Sequence, residues 1–345
     1  MRAKRLGMGM LSLELMSSVR ATKEISINSK TMLSRLCKNK YCVDAIISPG
    51  RKCEHTSKDI GVDLKNIINS WDYLNHLPAV VYENDSAILF QEDSLKLMGE
   101  IVGSYPEGIF DMIFADPPYF LSNGGVTCKS GEMVSVNKGE WDVSRGVSEN
   151  HRFNLTWLSY CQQLLKPDGT IWVSGTHHVI YSIGYAMQEL GFKLLNDITW
   201  EKPAPPPNLS CRYFTHATET IIWAAKTEKS KHYFNYRLMK SINNNKQMKS
   251  VWRIGAPGVG EKKYGKHPTQ KPVELLSRII LSSTKPDDLV FDPFSGSATT
   301  GVAAINTDRK FIGCELEEEY TRLSIARLAE AIYQKGNRLF QGDVI

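Results

Sequence analysis

The chain has 345 residues, of which 42% are hydrophobic and 23% charged. That is ordinary globular composition, with enough apolar residues for a substantial core. No run of 18 or more apolar residues occurs, which argues against a membrane span, and seven scattered cysteines argue against a disulfide framework. The net charge of +5 is unevenly spread: residues 226–271 hold twelve Lys/Arg against two Asp/Glu, and residues 1–60 hold twelve against five. Basic character gathered in two segments points to a polyanionic partner.

Residues 1–80 show little sustained periodicity and read as an N-terminal extension. Glu14 interrupts the first apolar run, and no clear cleavage pattern follows, so a cytoplasmic chain is expected. Cys37, Cys42 and Cys53, with His55, lack the close cysteine pairs of common zinc modules; no metal is expected. From Ser86 the pattern sharpens. Ala87–Phe90 reads as a strand, Asp93–Ile101 as a helix with Leu95, Met98 and Val102 on one side, and Ile109–Ala115 as a buried strand. Residues 120–150 read as a long functional loop rich in Gly, Ser and Asn. A helix over His151–Leu165 then stops at the turn signal Lys166-Pro167-Asp168-Gly169. Thr170–Ser174 is a strand, Val179–Leu190 a helix closed by Gly191, and Lys193–Trp200 and Glu219–Ala225 a strand pair.

After the basic region come a helix over Pro272–Ser283 with proline in its first turn, a strand over Asp288–Phe291 and a helix over Ala298–Asn306. A strand over Lys310–Cys314 and a helix over Glu317–Gln334 complete the chain. Alternating strands and helices predict an α/β fold, a mostly parallel sheet covered on both faces. Its domain spans residues 81–335, with insertions at about 120–150 and 201–266 and a tail over 336–345.

In such sheets ligands bind beyond the carboxyl ends of strands, and two of these ends carry unusual strings. Asp116-Pro117-Pro118-Tyr119 follows a buried strand. Its prolines fix the backbone and remove two amide donors. A carboxylate and a fixed carbonyl then make a pair of acceptors suited to an exocyclic amine, and Tyr119 offers a stacking face. A rigid strand cap is the bland alternative. Asp292-Pro293-Phe294-Ser295-Gly296-Ser297-Ala298-Thr299-Thr300 opens a helix, where small residues let a ligand approach amide donors. Glu315 ends the next strand, the place where an acidic residue takes ribose hydroxyls in nucleoside-cofactor folds. A dehydrogenase would need G-x-G-x-x-G after a strand, which this chain lacks.

Together these motifs resemble the amino-methyltransferases of DNA in the permuted beta arrangement, in which the DPPY catalytic motif precedes the FxGxG cofactor motif. The resemblance covers roughly residues 85–335 and includes Lys266-His267-Pro268-Thr269-Gln270-Lys271-Pro272. It implies a Rossmann-like methyltransferase fold with a seven-stranded sheet, and S-adenosyl-L-methionine as cofactor. The binding set it implies is Asp93 at the adenine end, Glu315 at the ribose and Thr269 with Gln270 at the methionine end, with Asp116, Asp292, Phe294, Ser295, Gly296, Ser297 and Thr299 around them. Asp116, Pro117, Pro118 and Tyr119 would be catalytic. Ala298 departs from the family's glycine.

Phe120-Leu121-Ser122-Asn123-Gly124-Gly125, Lys138-Gly139-Glu140-Trp141-Asp142 and Pro207-Asn208-Leu209-Ser210-Cys211-Arg212-Tyr213-Phe214 resemble the GATC and GANTC adenine methylases, with GATC favoured. The partner implied is DNA, double-stranded with single strands left open, and a cognate restriction endonuclease as functional counterpart; monomer and homodimer both stay open. Arg212, Arg237 and Arg253 could read guanine edges and Asn208 adenine, with Lys249, Lys262 and Lys263 on phosphates. A surface role for each arginine is at least as well supported. Trp141, Trp157, Trp200 and Trp252 read as core or loop anchors. An N4-cytosine methylase, whose motif usually begins with serine, and a nucleic-acid-binding module without activity remain the alternatives.

Overall fold

The computed structural model describes residues 79–122, 126–129, 132–135 and 139–341. Cys37, Cys42, Cys53 and His55, and the expectation of an N-terminal extension, lie outside them. The described residues from 79 to 335 belong to one compact unit. Its core is a nine-stranded sheet. The strands are β1 Val80–Asn84, β2 Ala87–Gln91, β3 Phe110–Ala115, β6 Leu165–Gly175, β7 Lys193–Glu201, β8 Thr218–Ala225, β9 Val251–Arg253, β10 Leu289–Asp292 and β11 Lys310–Glu315. They lie in the order β1-β2-β11-β10-β3-β6-β8-β7-β9. β2, β11, β10, β3 and β6 run parallel. β8 is antiparallel to both β6 and β7, and β9 returns parallel to β7.

The helices are α1 Ser94–Ser104, α2 Val147–Leu164, α3 Ile180–Glu189, α4 Tyr236–Ile242, α5 Val273–Ser283, α6 Thr299–Asn306 and α7 Glu318–Gln341. Alternation along each strand sorts side chains to two cores. Ile88, Phe90, Ile113 and Ala115 meet α1, α2 and α3 through Met98, Trp157 and Ile183. Ala87, Leu89, Met112 and Phe114 share the other core with Leu276 and Ile279 of α5, Ala303 of α6 and Leu328 of α7.

Three expectations are corrected. The sheet has nine strands rather than seven, because Val80–Asn84 folds back on β2 through a turn in which Asn84 Oδ1 accepts from the amides of Ser86 and Ala87 at 2.7 and 3.0 Å, and because Val251–Arg253 of the basic region becomes an edge strand. The 120–150 segment is not wholly loop: it carries the hairpin β4 Val126–Lys129 and β5 Glu132–Ser135 and a 3-10 turn over Glu140–Asp142. Lys166–Gly169 does not separate helix from strand as a free turn. It bulges within β6, where Phe110 faces Leu165 while Met112 faces Thr170, and Lys166 Nζ anchors it to Asp111 at 2.8 Å. Among the described residues no helix is long and apolar enough to cross a membrane.

Candidate active site

Parallel strands place their carboxyl ends along one edge of the sheet. Asp93 follows β2, Glu315 ends β11, Asp292 ends β10 and Asp116 follows β3. With neighbouring strands about 4.8 Å apart, the β2 and β3 ends stand roughly 14 Å from each other. One cavity of about 270 Å³ runs along this edge, and its lining includes Asp93, Asp116, Thr269, Gln270, Asp292, Phe294, Gly296 and Glu315. Ser295, Ser297, Thr299 and Pro118 line it as well. The two motifs, 176 positions apart in sequence, therefore share one cleft.

The loop after β10 is held from all sides. Asp292 is 2% exposed, and its carboxylate accepts from the Phe294 amide at 3.0 Å and the Thr300 hydroxyl at 2.5 Å. Arg327 of α7 donates to the Ser297 carbonyl, to Ser297 Oγ at 2.8 Å and to Thr299 Oγ1 at 2.9 Å. Gly296 takes φ +55, and a Cβ there would meet the His267 ring at 3.1 Å. Its amide donates to Glu315 Oε2 at 2.8 Å, while Oε1 accepts from the Glu317 amide at 2.9 Å. Phe294 stands edge-on to Trp157 at 5.5 Å.

This cavity fits the nucleoside-sulfonium cofactor that the resemblance implies. Two buried polar atoms in its wall, Gln270 Oε1 and Ser295 Oγ, have no hydrogen-bond partner among the described residues, and such atoms ask for a polar ligand. Asp93 and Glu315, carboxylates in the same wall, suit the hydroxyls that the resemblance assigns to that end. Asp93 also supports the fold, since it caps α1 by accepting from the Lys96 amide at 3.0 Å.

Burial pushes Asp292 and Glu315 each up to about 7. Carboxyls raised in the folded state favour stability at low pH, a contribution lost as pH rises through about 7. Hydroxyls donated to Glu315 would favour its charged form. Cofactor binding at pH 7 is therefore expected to release protons, and affinity should weaken by up to about tenfold per unit below pH 7. Calorimetry in buffers of different ionisation enthalpy measures this; an absence of proton release, or the same release in Glu315→Gln, would count against it.

Ala298, the departure from the family's glycine, sits at φ 52 as the residue before α6 and is fully buried. Relief of left-handed strain on Ala298→Gly, about 1 kcal/mol, nearly cancels the loss of a buried methyl, about 0.8 kcal/mol. The variant should melt within a few degrees of the parent and bind cofactor within about threefold of it; a cofactor affinity tenfold tighter would show that the methyl obstructs the site.

Around Asp116 the structure gathers groups that lie far apart in the sequence. Asp116 Oδ1 accepts from the Tyr119 hydroxyl at 2.6 Å and from Ser174 at the end of β6. Lys271, from the Lys266–Pro272 string, pairs with Asp116 Oδ2 and lies 3.7 Å from Glu219 of β8, which also pairs with Lys202. The Tyr119 ring is 5% exposed and turned inward, its hydroxyl also 3.2 Å from Ser174 Oγ and 3.3 Å from Glu219. It thus braces Asp116 here, where the sequence suggested a stacking face.

Asp142, fully buried, accepts from the amides of Tyr119 and Phe120 at 2.8 Å, of Leu121 at 3.3 Å and from Ser122 Oγ at 2.9 Å. Neither Asp142 nor Lys271 stands out in the sequence as a site residue, although both lie in strings that carry the resemblance. Trp157, Trp200 and Trp252 are core residues, whereas Trp141 lines the cavity.

The residues suggested for DNA contact do not form one cluster. Asn208 spends its side chain on its own loop, donating to the Tyr213 carbonyl at 2.6 Å and accepting from the Ser210 amide and hydroxyl. Arg212 and Arg237 are exposed. Lys249 and Arg253 line a shared surface cleft, and Arg253 also lies 3.5 Å from Glu201. Lys262 ends a 3-10 turn, and Lys263 pairs with Glu330. In the segments just after β6 and just before β8, rings form a ladder: Tyr213 to His216 at 5.4 Å, His216 to His177 at 4.6 Å, His177 to His178 at 3.8 Å. Among the described residues no group of three or more His, Cys, Asp or Glu is placed to hold a metal ion.

The sequence profile of the N6/N4 DNA methylase family matches residues 110–326. The type II methyltransferase M2.LlaDCHI of Lactococcus lactis subsp. cremoris is 56% identical over 248 residues, 72% of this chain and 91% of that protein. M2.MboI of Moraxella bovis is 56% identical over 67% of this chain and 85% of its own length. Among solved structures, the M1.HpyAVI–SAM complex is similar at 29% identity and a TM-score of 0.54, over 70% of this chain and 98% of that one. The PvuII cytosine-N4-specific DNA methyltransferase is similar at 25% identity and a TM-score of 0.56, over 77% and 96%. The chain belongs to the N6/N4 DNA methylase family and has the fold of its methyltransferases.

Proposed function

We propose that this protein methylates the exocyclic N6 of adenine at a specific DNA site, with GATC as the context, in the cytoplasm and as the protective half of a restriction-modification pair. The observation that carries the reading is the shared cleft, with Asp116 lining the same cavity as Gly296 and Glu315. S-adenosyl-L-methionine, when bound along Asp93, Glu315, Asp292 and Thr269–Gln270, supplies an electrophilic methyl group.

The amine is out of reach inside a duplex, so the base is extruded into the cleft. Asp116 accepts a hydrogen bond from the amine and orients its nitrogen lone pair, with the Pro117 carbonyl as second acceptor. Most of the rate gain on this reading is positioning and local electrostatics. The leading Asp116, in place of the serine usual for cytosine-N4 enzymes, supports adenine.

The test is incubation with S-adenosylmethionine tritiated on the methyl group and mixed genomic DNA, followed by nucleoside analysis. Label in N6-methyldeoxyadenosine is expected, and mapping of the modified positions should confine it to one short context; label in N4-methyldeoxycytidine would replace the adenine assignment.

A further inference from the structure

Asp116 sits in a buried charge cluster assembled from five parts of the chain. β3 brings Asp116, with Tyr119 just beyond it. β6 brings Ser174 and β8 Glu219. Lys202 follows β7, and the segment before α5 brings Lys271. Asp292, from the end of β10, faces the cluster as well. The Lys271 side chain is 7% exposed and that of Asp116 is 13% exposed. Lys271 Nζ donates to Asp116 Oδ2, approaches the Tyr119 hydroxyl at 3.4 Å and meets the Thr269 carbonyl at 3.5 Å.

A carboxylate offers about four lone-pair sites. Tyr119 and Ser174 occupy those of Oδ1, and Lys271 occupies one on Oδ2. Among the described residues one acceptor direction is left unoccupied, on the oxygen that Lys271 holds.

We propose that Lys271 is the positioning residue of this methyltransferase: its buried ammonium keeps Asp116 a carboxylate and fixes Oδ2 so that its remaining lone pair is offered to the target amine. The inference rests on Asp116 as the amine acceptor. Lys271 follows Thr269 and Gln270, which line the cofactor cavity, so the segment that touches the cofactor also sets the acceptor.

Burial by itself pushes the Asp116 carboxyl up; the Lys271 charge and the hydrogen bonds from Lys271, Ser174 and Tyr119 outweigh burial and hold it below the ordinary carboxylate range. Burial likewise opposes the Lys271 charge, and Asp116 and Glu219 outweigh it, leaving the ammonium above its ordinary value. Without Lys271 the burial remains and its main compensation is gone. Asp116 then holds its proton to higher pH than in the wild type, and a protonated oxygen is a donor facing a donor.

The experiment compares single-turnover methylation and cofactor binding across pH 5.5–9 for the wild type, Lys271→Met, Lys271→Arg and Asp116→Ala. Lys271→Met is expected to lose about 100-fold or more at pH 7, through the lost fixed geometry together with the lost charge, to recover in part as pH rises, and to bring its acid limb up into the pH 5.5–9 window. Its cofactor affinity should stay within a few-fold of wild type, and Lys271→Arg should stay within about tenfold in rate. Should Lys271→Met fail to fold, Lys271→Gln gives the same comparison, and the infrared difference between wild type and Asp116→Asn reads the Asp116 ionisation directly; a protonated Asp116 in the wild type at pH 7 would overturn the proposal. So would a Lys271→Met enzyme with wild-type rate and pH profile, or one with an equal loss at every pH. An active Asp116→Ala enzyme would instead remove the reading of Asp116 beneath it.

Discussion

Asp116→Ala should lower single-turnover methylation by at least about 10³-fold while the Kd for S-adenosylmethionine changes by less than about fivefold. The asymmetry follows from where the residue's partners lie. Its hydrogen bonds run to Tyr119, Ser174 and Lys271, whereas the cofactor loop is held by Thr300, Glu315 and Arg327. Lys271 retains Glu219 at 3.7 Å as a counter-charge, so the variant is not left with an isolated buried ammonium. Asp116→Asn should be nearly as impaired, since its amide can present a donor to the amine. Methyl incorporation and calorimetry on the same preparations decide the matter; a variant with near-normal turnover would refute the assignment.

The second large effect is expected at Asp142, more than twenty positions from the motif it supports. Its buried carboxylate gathers the consecutive amides of Tyr119, Phe120 and Leu121, a nest for an anion. Replacing it by alanine takes away an acceptor shared by these amides, at about 1–3 kcal/mol for each hydrogen bond lost. Asp142→Ala should therefore be destabilised by roughly 3–5 kcal/mol, a fall in Tm of about 10 °C. The chain after Pro118 would lose its fixed course, and methylation should fall by about 100-fold with cofactor binding less affected. Thermal melts and single-turnover rates measure both; a variant that keeps wild-type stability and rate would show that the cradle does not hold the motif.

The strand ends were legible because each depends on a few neighbouring residues. An apolar run closing on Asp116-Pro117-Pro118, or on Asp292 before a glycine turn, announces itself within a dozen positions. Helix starts were equally local, with Asp93 before α1 and Pro272 before α5. The strand count was missed because Val251–Arg253 is three residues long and carries no period of its own. It is a strand only because β7 lies alongside it. The inward turn of Tyr119 was missed for a similar reason: nothing in Asp-Pro-Pro-Tyr tells that Ser174 and Glu219 wait at hydrogen-bond distance.

The order of motifs, the alternation of strands and helices, and the carboxylates at the strand ends were set by the sequence alone, since periodicity and turn chemistry act over short stretches. Which groups surround the reacting centre was decided only when the sheet closed. Lys271 and Asp116 are 155 positions apart and meet because β10 and β3 are neighbours while α5 packs over them. A lysine in a basic run reads as a solvated charge until burial removes its water and sets carboxylates against it.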